Sequence, residues 1–364
     1  MASPFKARNG RQGAWLGQNC PSLLHPRAGI SRCRDILINT LVTTLDSLQS
    51  TLKLLSDPLR LRLCALLGRA ELAVQEMVSI TGLQQSRVSN HLSLLKRAGV
   101  VRDRREGTWS FHSLVAPSSD GPLSPTLFAA TVEPYLESDE GARDLASLQA
   151  VLDSRREKSR QAHDRLAGQW QELGEEFAIG TLRSEILAQA WPCGPRVADL
   201  GCGAGFLSSV LAERRGEVIG VDHSERMLEE ARRNVAEAEF RRGELDALPL
   251  ADSEVHAAFA HMVLHHVPDL DAAAREIYRV VAPGGVAVVS DLVPHESEWM
   301  RERMGDLRLG VKADAVLGSL ARAGFRDLQS APLADRCRVQ SPSGERVEFS
   351  MFVVRGLRPD AATS

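Results

Sequence analysis

No two of the six cysteines form a C-x-x-C pair: Cys20, Cys33, Cys64, Cys193, Cys202 and Cys337 are scattered through 364 residues. That spacing argues against a disulfide framework and a thiolate zinc site, so no metal is expected, and it suits a reducing cytoplasm. No apolar run reaches the roughly 18 residues needed to cross a bilayer, which leaves no membrane partner to expect. Excess positive charge is missing as well. Lys and Arg number 44 against 47 Asp and Glu, a formal net charge of −3 that excludes a globally basic nucleic-acid binder but not a local basic face. There is no Walker phosphate loop and no internal repeat. Residues 1–34 hold no acidic side chain beside Lys6, Arg8, Arg11, Arg27, Arg32 and Arg34, and show neither helical nor strand periodicity. Residues 1–35 are therefore expected to be an unstructured tail. A transit peptide or a DNA-binding arm would carry similar charge, but the second half has no amphipathic helix.

A chain of this length exceeds one ordinary hydrophobic core, so two domains and a linker are expected. Helical periodicity begins near Ile36 and is interrupted at Asp57-Pro58, where Asp57 reads as an N-cap and Pro58 as the first helical residue. Two shorter helices follow, "AVQEMVSITG" and "SRVSNHLSLLKRAG". After them comes "VVRDRREGTWSFHSL", an alternating stretch that reads as a hairpin around Glu106-Gly107. Residues 36–115 are taken as one domain. Residues 116–177 are read as a Pro/Ser/Gly linker and a long polar helix from about Ala142 to Phe177. From Arg196 strands and helices alternate, predicting an α/β fold with a mostly parallel sheet over residues 178–357. Two final strands joined by a Ser-Gly turn suit an antiparallel edge, with 358–364 as a disordered tail.

"VADLGCGAGFL" (197–207) reads as a strand, a glycine turn and a helix. Gly201, Gly203 and Gly205 are spaced G-x-G-x-G, and Phe206 stands where a dinucleotide fingerprint wants its third glycine. Asp222 ends the next strand, where a carboxylate accepts from both hydroxyls of a ribose. "GELDALPL" places Glu244 or Asp246 near an adenine amino group, and Asp199 can face an ammonium group. A ligand with adenosine but no phosphate fits this pattern. Residues 190–325 resemble a UbiE-like, Rossmann-like methyltransferase. The resemblance implies S-adenosylmethionine as cofactor, held by Gly201, Gly203, Gly205 and Asp222, with Met227 beside the adenosine. Glu244 stands where that family usually has Asp. His261, His265 and His266 lie at the lip of the fourth strand: His261 beside the cofactor, and His265 or His266 either a base or part of the pocket wall. Trp299, Met300 and Met304 are either a lid or core.

In the front half, Val88, Leu92 and Leu95 fall on one helical face and anchor it. Gln85, Ser86, Arg87, Ser89 and Asn90 crowd the other end of that helix, and such side chains read base edges in a major groove. Arg102, Arg104 and Arg105 suit a wing on phosphates. Residues 85–112 carry six basic and two acidic side chains, a local +4. The order of these pieces resembles the ArsR-type winged helix-turn-helix over residues 50–114. Where its metal-sensing members have cysteines, Ala73 and Gln75 stand here, so no metalloid is expected at that helix. Gln84 replaces a Ser cap. Together the two resemblances imply a cytoplasmic, homodimeric regulator on double-stranded operator DNA whose second domain methylates a small molecule. A sensor without turnover, or a methyltransferase using the winged helix only to dimerise, would share these residues. Arsenite methylation needs gathered thiols, and the cysteines are too sparse for it.

Overall fold

The computed structural model describes residues 48–106, 109–118, 121–169, 182–190 and 194–360. The expected N-terminal tail, and most of the helical stretch expected from Ile36, lie outside them. Residues 48–55 are helical, and Leu48 and Leu52 are exposed.

Helix α1 (Pro58–Leu67) begins as the sequence predicts: the Asp57 carboxylate accepts from the Leu59 and Arg60 amides at 2.9 and 3.3 Å. A short strand β1 (Leu72–Ala73) leads into α2 (Val74–Thr81) and then α3 (Gln85–Arg97). Gln84 supplies no side-chain cap to α3, so its start rests on Val88, Leu92 and Leu95, all buried. Strands β2 (Val101–Glu106) and β3 (Trp109–Leu114) pair antiparallel, and β1 joins the free edge of β3. Cys64 is a fully buried core residue.

The expected linker is not a tether. Leu123 is only 2% exposed, Ser124 caps α4 (Pro125–Thr131), and with α5 (Glu133–Leu136) this segment completes the winged-helix core through Val132 and Leu136. The long helix α6 (Asp139–Leu166) starts three residues before the expected Ala142, capped by Ser138; residues 170–181 lie outside the described part. It is bolted down by Asp144, whose carboxylate takes Arg62 bidentately at 2.5 and 2.6 Å and the Tyr135 hydroxyl at 2.8 Å.

Beyond α7 (Leu182–Ala188) come β4 (Arg196–Leu200), α8 (Phe206–Arg215), β5 (Glu217–Asp222), α9 (Glu225–Asn234), β6 (Glu239–Arg242) and β7 (Val255–His261). The domain ends with α10 (Leu270–Val280), β8 (Val281–Leu292), α11 (Trp299–Met304), α12 (Ala313–Ala323), β9 (Arg326–Gln340) and β10 (Arg346–Leu357). The sheet runs β6-β5-β4-β7-β8-β10-β9; the first five strands are parallel, and β10 is antiparallel to both neighbours. Apolar side chains alternate across it: Val197 and Phe259 pack into one face, Ala198 and Ala258 into the other. The chain winds outward in opposite directions from β4 and β7, which opens a crevice at their carboxyl ends, where ligands of such sheets bind. The tail expected from 358 starts ordered instead: Arg358 donates to the Tyr278 carbonyl at 2.7 Å and lies over the Tyr278 ring. Among the described residues no helix is long and apolar enough to cross a membrane.

Asp144→Ala takes the bidentate partner from Arg62 and the acceptor from the Tyr135 hydroxyl, leaving the guanidinium only Glu140 and the Thr81 carbonyl. It should destabilise the chain by about 3 kcal/mol, read as a lower urea midpoint; a change below about 0.5 kcal/mol would mean α6 is not anchored there.

Candidate functional site

The glycine turn after β4 makes the crevice. Gly201 has φ 74°, and a Cβ there would stand 2.3 Å from Val263, so only glycine passes. The Gly201 and Cys202 amides both donate to the Val221 carbonyl, at 2.7 and 3.0 Å, tying the turn to β5. Gly203 donates its amide to Asp222 at 3.0 Å, and both line the cavity. Gly205, expected at the ligand, does not line it. It begins α8 facing Val235, because the turn has already swung the backbone behind the cavity floor.

Asp222 also accepts from the Ser224 amide at 2.9 Å, which aims its carboxylate into the cavity. Asp199, 1% exposed, accepts from the Ser208 hydroxyl at 2.6 Å. Burial pushes Asp222 up and Asp199 up to about 7. Two carboxyls strained in this way gain from a cation, and S-adenosylmethionine carries an ammonium and a sulfonium. The residues fit that cofactor. Met227, 1% exposed, faces the cavity from the first turn of α9. His261 lines it while its Nδ1 meets Ser290 Oγ at 2.8 Å. Glu244 lines it too, half-exposed and held below its usual range by His223.

What sequence reasoning missed is the opposite wall. Arg156, Ser159 and His163 of α6 line the cavity, visible beforehand only as part of a polar helix. Arg156 forms an ion pair with Asp246, which takes that carboxylate away from an adenine. His163 Nδ1 lies 2.9 Å from His223 Nε2, and its Nε2 lies 3.3 Å from His266 Nε2. Gly305 (φ 78°) permits the approach of α6, since a Cβ there would stand 2.7 Å from Ala162 Cβ.

The two candidate bases part company. His265, 3% exposed, holds Asp291 at 2.6 Å through Nδ1; burial opposes its charge, but Asp291 and Asp306 push it up to about 9. With Nδ1 taken by Asp291 and the charged ring favoured, the geometry argues against His265 as the base. His266 is pushed well below its usual range by burial and by its histidine neighbours, and its Nδ1 donates to the Gly305 carbonyl at 3.2 Å. Met300 and Met304 line the cavity and are buried, while Trp299 packs near Phe349.

On the winged helix, Gln85, Ser86, Arg87 and Asn90 are exposed, and Ser89 is half-buried. Arg102 and Arg105 are exposed on the wing. Arg104 is not available in the same way. It bonds Glu71 at 2.9 Å and stacks 5.1 Å over Phe111, its cross-strand neighbour, so it is corrected from phosphate ligand to structural pair.

Comparison with known proteins agrees with these two halves. The family described as methyltransferase domain matches residues 198–289. The bacterial regulatory protein, arsR family, matches residues 57–103. The chain joins an arsR-family helix-turn-helix to a methyltransferase domain. An arsenite methyltransferase of Halobacterium salinarum is 32% identical over 173 residues, 44% of each chain. A malonyl-[acyl-carrier protein] O-methyltransferase of Serratia marcescens is 36% identical over 27% of this chain and 39% of its own. The chain thus spans less than half the length of these two relatives. A methyltransferase structure from Thermotoga maritima, described as a possible histamine N-methyltransferase, has a TM-score of 0.44 at 21% identity, covering 55% of this chain and 99% of that one.

Asp199 gives a pH test. Its folded pKa lies above the unfolded value, so below about 4 both states hold the proton. Between there and about 7 the folded state retains a proton that the unfolded chain releases, and stability falls. A cation facing Asp199 must expel that proton. S-adenosylmethionine should therefore bind more tightly as pH rises from about 6 to 8, by up to about tenfold per unit below pH 7. Calorimetry checks this, and Asp199→Asn should flatten the slope; an unchanged slope would remove Asp199 from the ligand.

Proposed function

We propose that this chain is an ArsR-type DNA-binding regulator whose second domain binds S-adenosylmethionine and methylates a small molecule. The observation that carries the reading is α6: one helix walls the cavity through Arg156, Ser159 and His163 and, through Arg155, bonds the Glu76 carboxylate and the Glu71 carbonyl of the winged helix. An occupant of the cavity therefore presses on the element that holds the DNA-reading domain. The protein acts in the cytoplasm, as a homodimer that sets two recognition helices about one DNA turn apart on double-stranded operator DNA.

The bound cofactor supplies a methyl group on a sulfonium, which already carries its own leaving group. The chain supplies placement, worth several kcal/mol for a well-aligned pair. Asp222 holds the ribose hydroxyls, Asp199 the ammonium, and the side-chain-free Gly201 and Gly203 let the ligand approach. Met300 and Met304 exclude water from the acceptor's end. His266, neutral and at the cavity wall, takes a proton where the acceptor must lose one. Arsenite, named for the haloarchaeal relative, is not carried over as acceptor. Cys202 and Cys337 are buried in separate apolar clusters and burial pushes both thiols far up, which denies a metalloid its thiolates. A rival reading is a sensor that binds the cofactor without turnover.

The experiment is a pair of variants read on promoter DNA and on heat stability. Arg105→Ala should weaken DNA binding and reduce the salt slope by about one phosphate contact, with the melting shift caused by S-adenosylmethionine untouched. Asp222→Ala should abolish that shift and leave DNA binding intact. Unchanged DNA binding in both Arg87→Ala and Arg105→Ala would overturn the regulator. In the wild type, the cofactor should change DNA affinity by about 5- to 150-fold, and Arg155→Ala should cut that coupling. A screen for a methylated product separates the enzyme from the sensor.

A further inference from the structure

At the acceptor's end of the cavity stands a carboxylate with no hydrogen bond. Both oxygens of Asp306 are buried without a partner, and its side chain is 0% exposed. Buried carboxylates normally collect two or more donors, so a bare one asks for a ligand that the protein itself does not provide. His265 Nε2 lies 3.8 Å and His266 Nε2 3.9 Å from Asp306 Oδ1, both too far to bond it.

These three atoms share one cluster within 4.8 Å of one another, and all three residues line the cavity. We propose that His265 Nε2, His266 Nε2 and Asp306 bind a divalent transition-metal ion, with its open coordination positions turned into the cavity. The orientation of each ring supports this. A carbonyl only accepts, so His266 Nδ1 carries the proton that goes to Gly305 and Nε2 keeps its lone pair, which meets His163 Nε2 at 3.3 Å and lies 3.9 Å from Asp306. His265 gives Nδ1–H to Asp291, whose other oxygen accepts the His265 amide at 3.2 Å and locks the ring, so the proton that the metal-free ring carries on Nε2 is the one an ion displaces. Metal-binding histidines are oriented by such outer carboxylates and carbonyls. Two imidazoles and one carboxylate on one side of an ion is an arrangement that leaves sites open for Fe²⁺ and its neighbours in the d-block. Ligand atoms at ~2.1 Å from an ion stand about 3.0–3.5 Å apart, so the two histidine–aspartate separations close by roughly half an ångström on binding and the two rings draw together. His163, 3.3 Å from His266 Nε2, gives up that contact or joins as a further nitrogen. Sequence spacing pointed away from a metal because it weighed cysteines; these donors are nitrogen and oxygen, and Asp306 lies forty residues beyond the histidine pair.

The open positions face the space where the methyl acceptor enters. If the methyltransferase reading holds, an acceptor with a hydroxyl, enol or carboxylate oxygen completes the coordination; His266, then a ligand, no longer serves as base, and the ion in its place favours the deprotonated oxygen and draws it into line.

The test uses the full chain, stripped with a chelator and titrated with Co²⁺ and then Zn²⁺, read by visible absorption and by metal content after gel filtration. The wild type should take up one equivalent, with Co²⁺ bands that Zn²⁺ erases. Asp306→Asn keeps the shape and removes the charge; it should melt no lower than the stripped wild type and weaken Co²⁺ binding by about 100-fold. Asp291→Asn should weaken it by about 10-fold or more. A wild type that binds no stoichiometric Co²⁺, or an Asp306→Asn chain that binds it equally well, overturns the site. Cofactor binding is measured separately on the same samples. One equivalent of Co²⁺ without any heat from S-adenosylmethionine would sink the methyltransferase reading and leave the metal site standing.

Discussion

Arg155 and Arg156 are neighbours on one helix, yet they reach into different halves of the molecule. Successive residues of an α-helix point about 100° apart, so two adjacent guanidiniums on a rigid rod cannot serve the same face. Arg155 goes to Glu76 and the Glu71 carbonyl; Arg156 goes to Asp246 at the rim of the cavity. Both pairs are partly buried, and Arg156 also bonds Asp153 of its own helix at 3.0 Å. The position of α6 therefore fixes the winged helix and the cavity wall at once. Ser159 and His163 extend the cavity-facing stripe one and two turns further along.

A second tie runs beside the first. The loop that carries His265 gives its carbonyl to the Arg308 amide at 2.9 Å, and the Arg308 side chain bonds the Pro268 carbonyl at 2.9 Å. Burial pushes the Glu71 carboxyl up, but Arg104, Arg308 and Arg155 outweigh it and hold it below its usual range. Phe111 of the wing lies under Arg104 and Arg155 and within 5.8 Å of Arg301, which belongs to α11. So the β1–β3 edge meets the acceptor loop through a knot of guanidiniums around one glutamate. Such a knot is stable only while every member keeps its partner, because an unpaired buried charge costs more than the pair contributes. A rearrangement of the acceptor loop that moves Arg308 thus disturbs Arg104, two residues from exposed Arg102 and one from exposed Arg105. Coupling of this kind is reciprocal, so whatever binds the wing must act on the cavity as well.

Which of these features the sequence discloses follows from distance along the chain. Asp57 before Pro58, the alternation of 101–114, and Asp199 and Asp222 at strand ends are written within ten residues of their structural consequences, and all are found as read. Arg156–Asp246 and His163–His266 join residues 90 and 103 positions apart, and nothing local in a polar helix distinguishes a cavity wall from a solvated face. The segment 116–126 was misread for a related reason. Pro, Ser and Gly announce turns, and turns are compatible with burial once one residue such as Leu123 finds a core. Arg104 shows the same limit: charge counting cannot tell a phosphate ligand from the partner of a buried glutamate. Gly205 satisfies the motif by spacing and serves the packing of α8 instead.

The electrostatics of the cavity make one more demand. Asp199 and Asp222 at one end and Asp306 at the other are all pushed up by burial. Histidines stand nearby, but His163 and His266 are pushed down by burial and mutual repulsion, so they present lone pairs and not charge. Beside Asp306, His265 is pushed toward its charged form, and Asp291 already claims it. A cavity built this way is short of positive charge at both ends. It discriminates between occupants by charge first and shape second, because a neutral guest leaves the carboxyls as strained as before. A cationic guest relieves Asp199 and Asp222, and it contributes free energy that depends on the walls staying closed around it. Since α6 is one of those walls, the demand for positive charge is also what binds the state of the cavity to the posture of the helix that holds the winged domain.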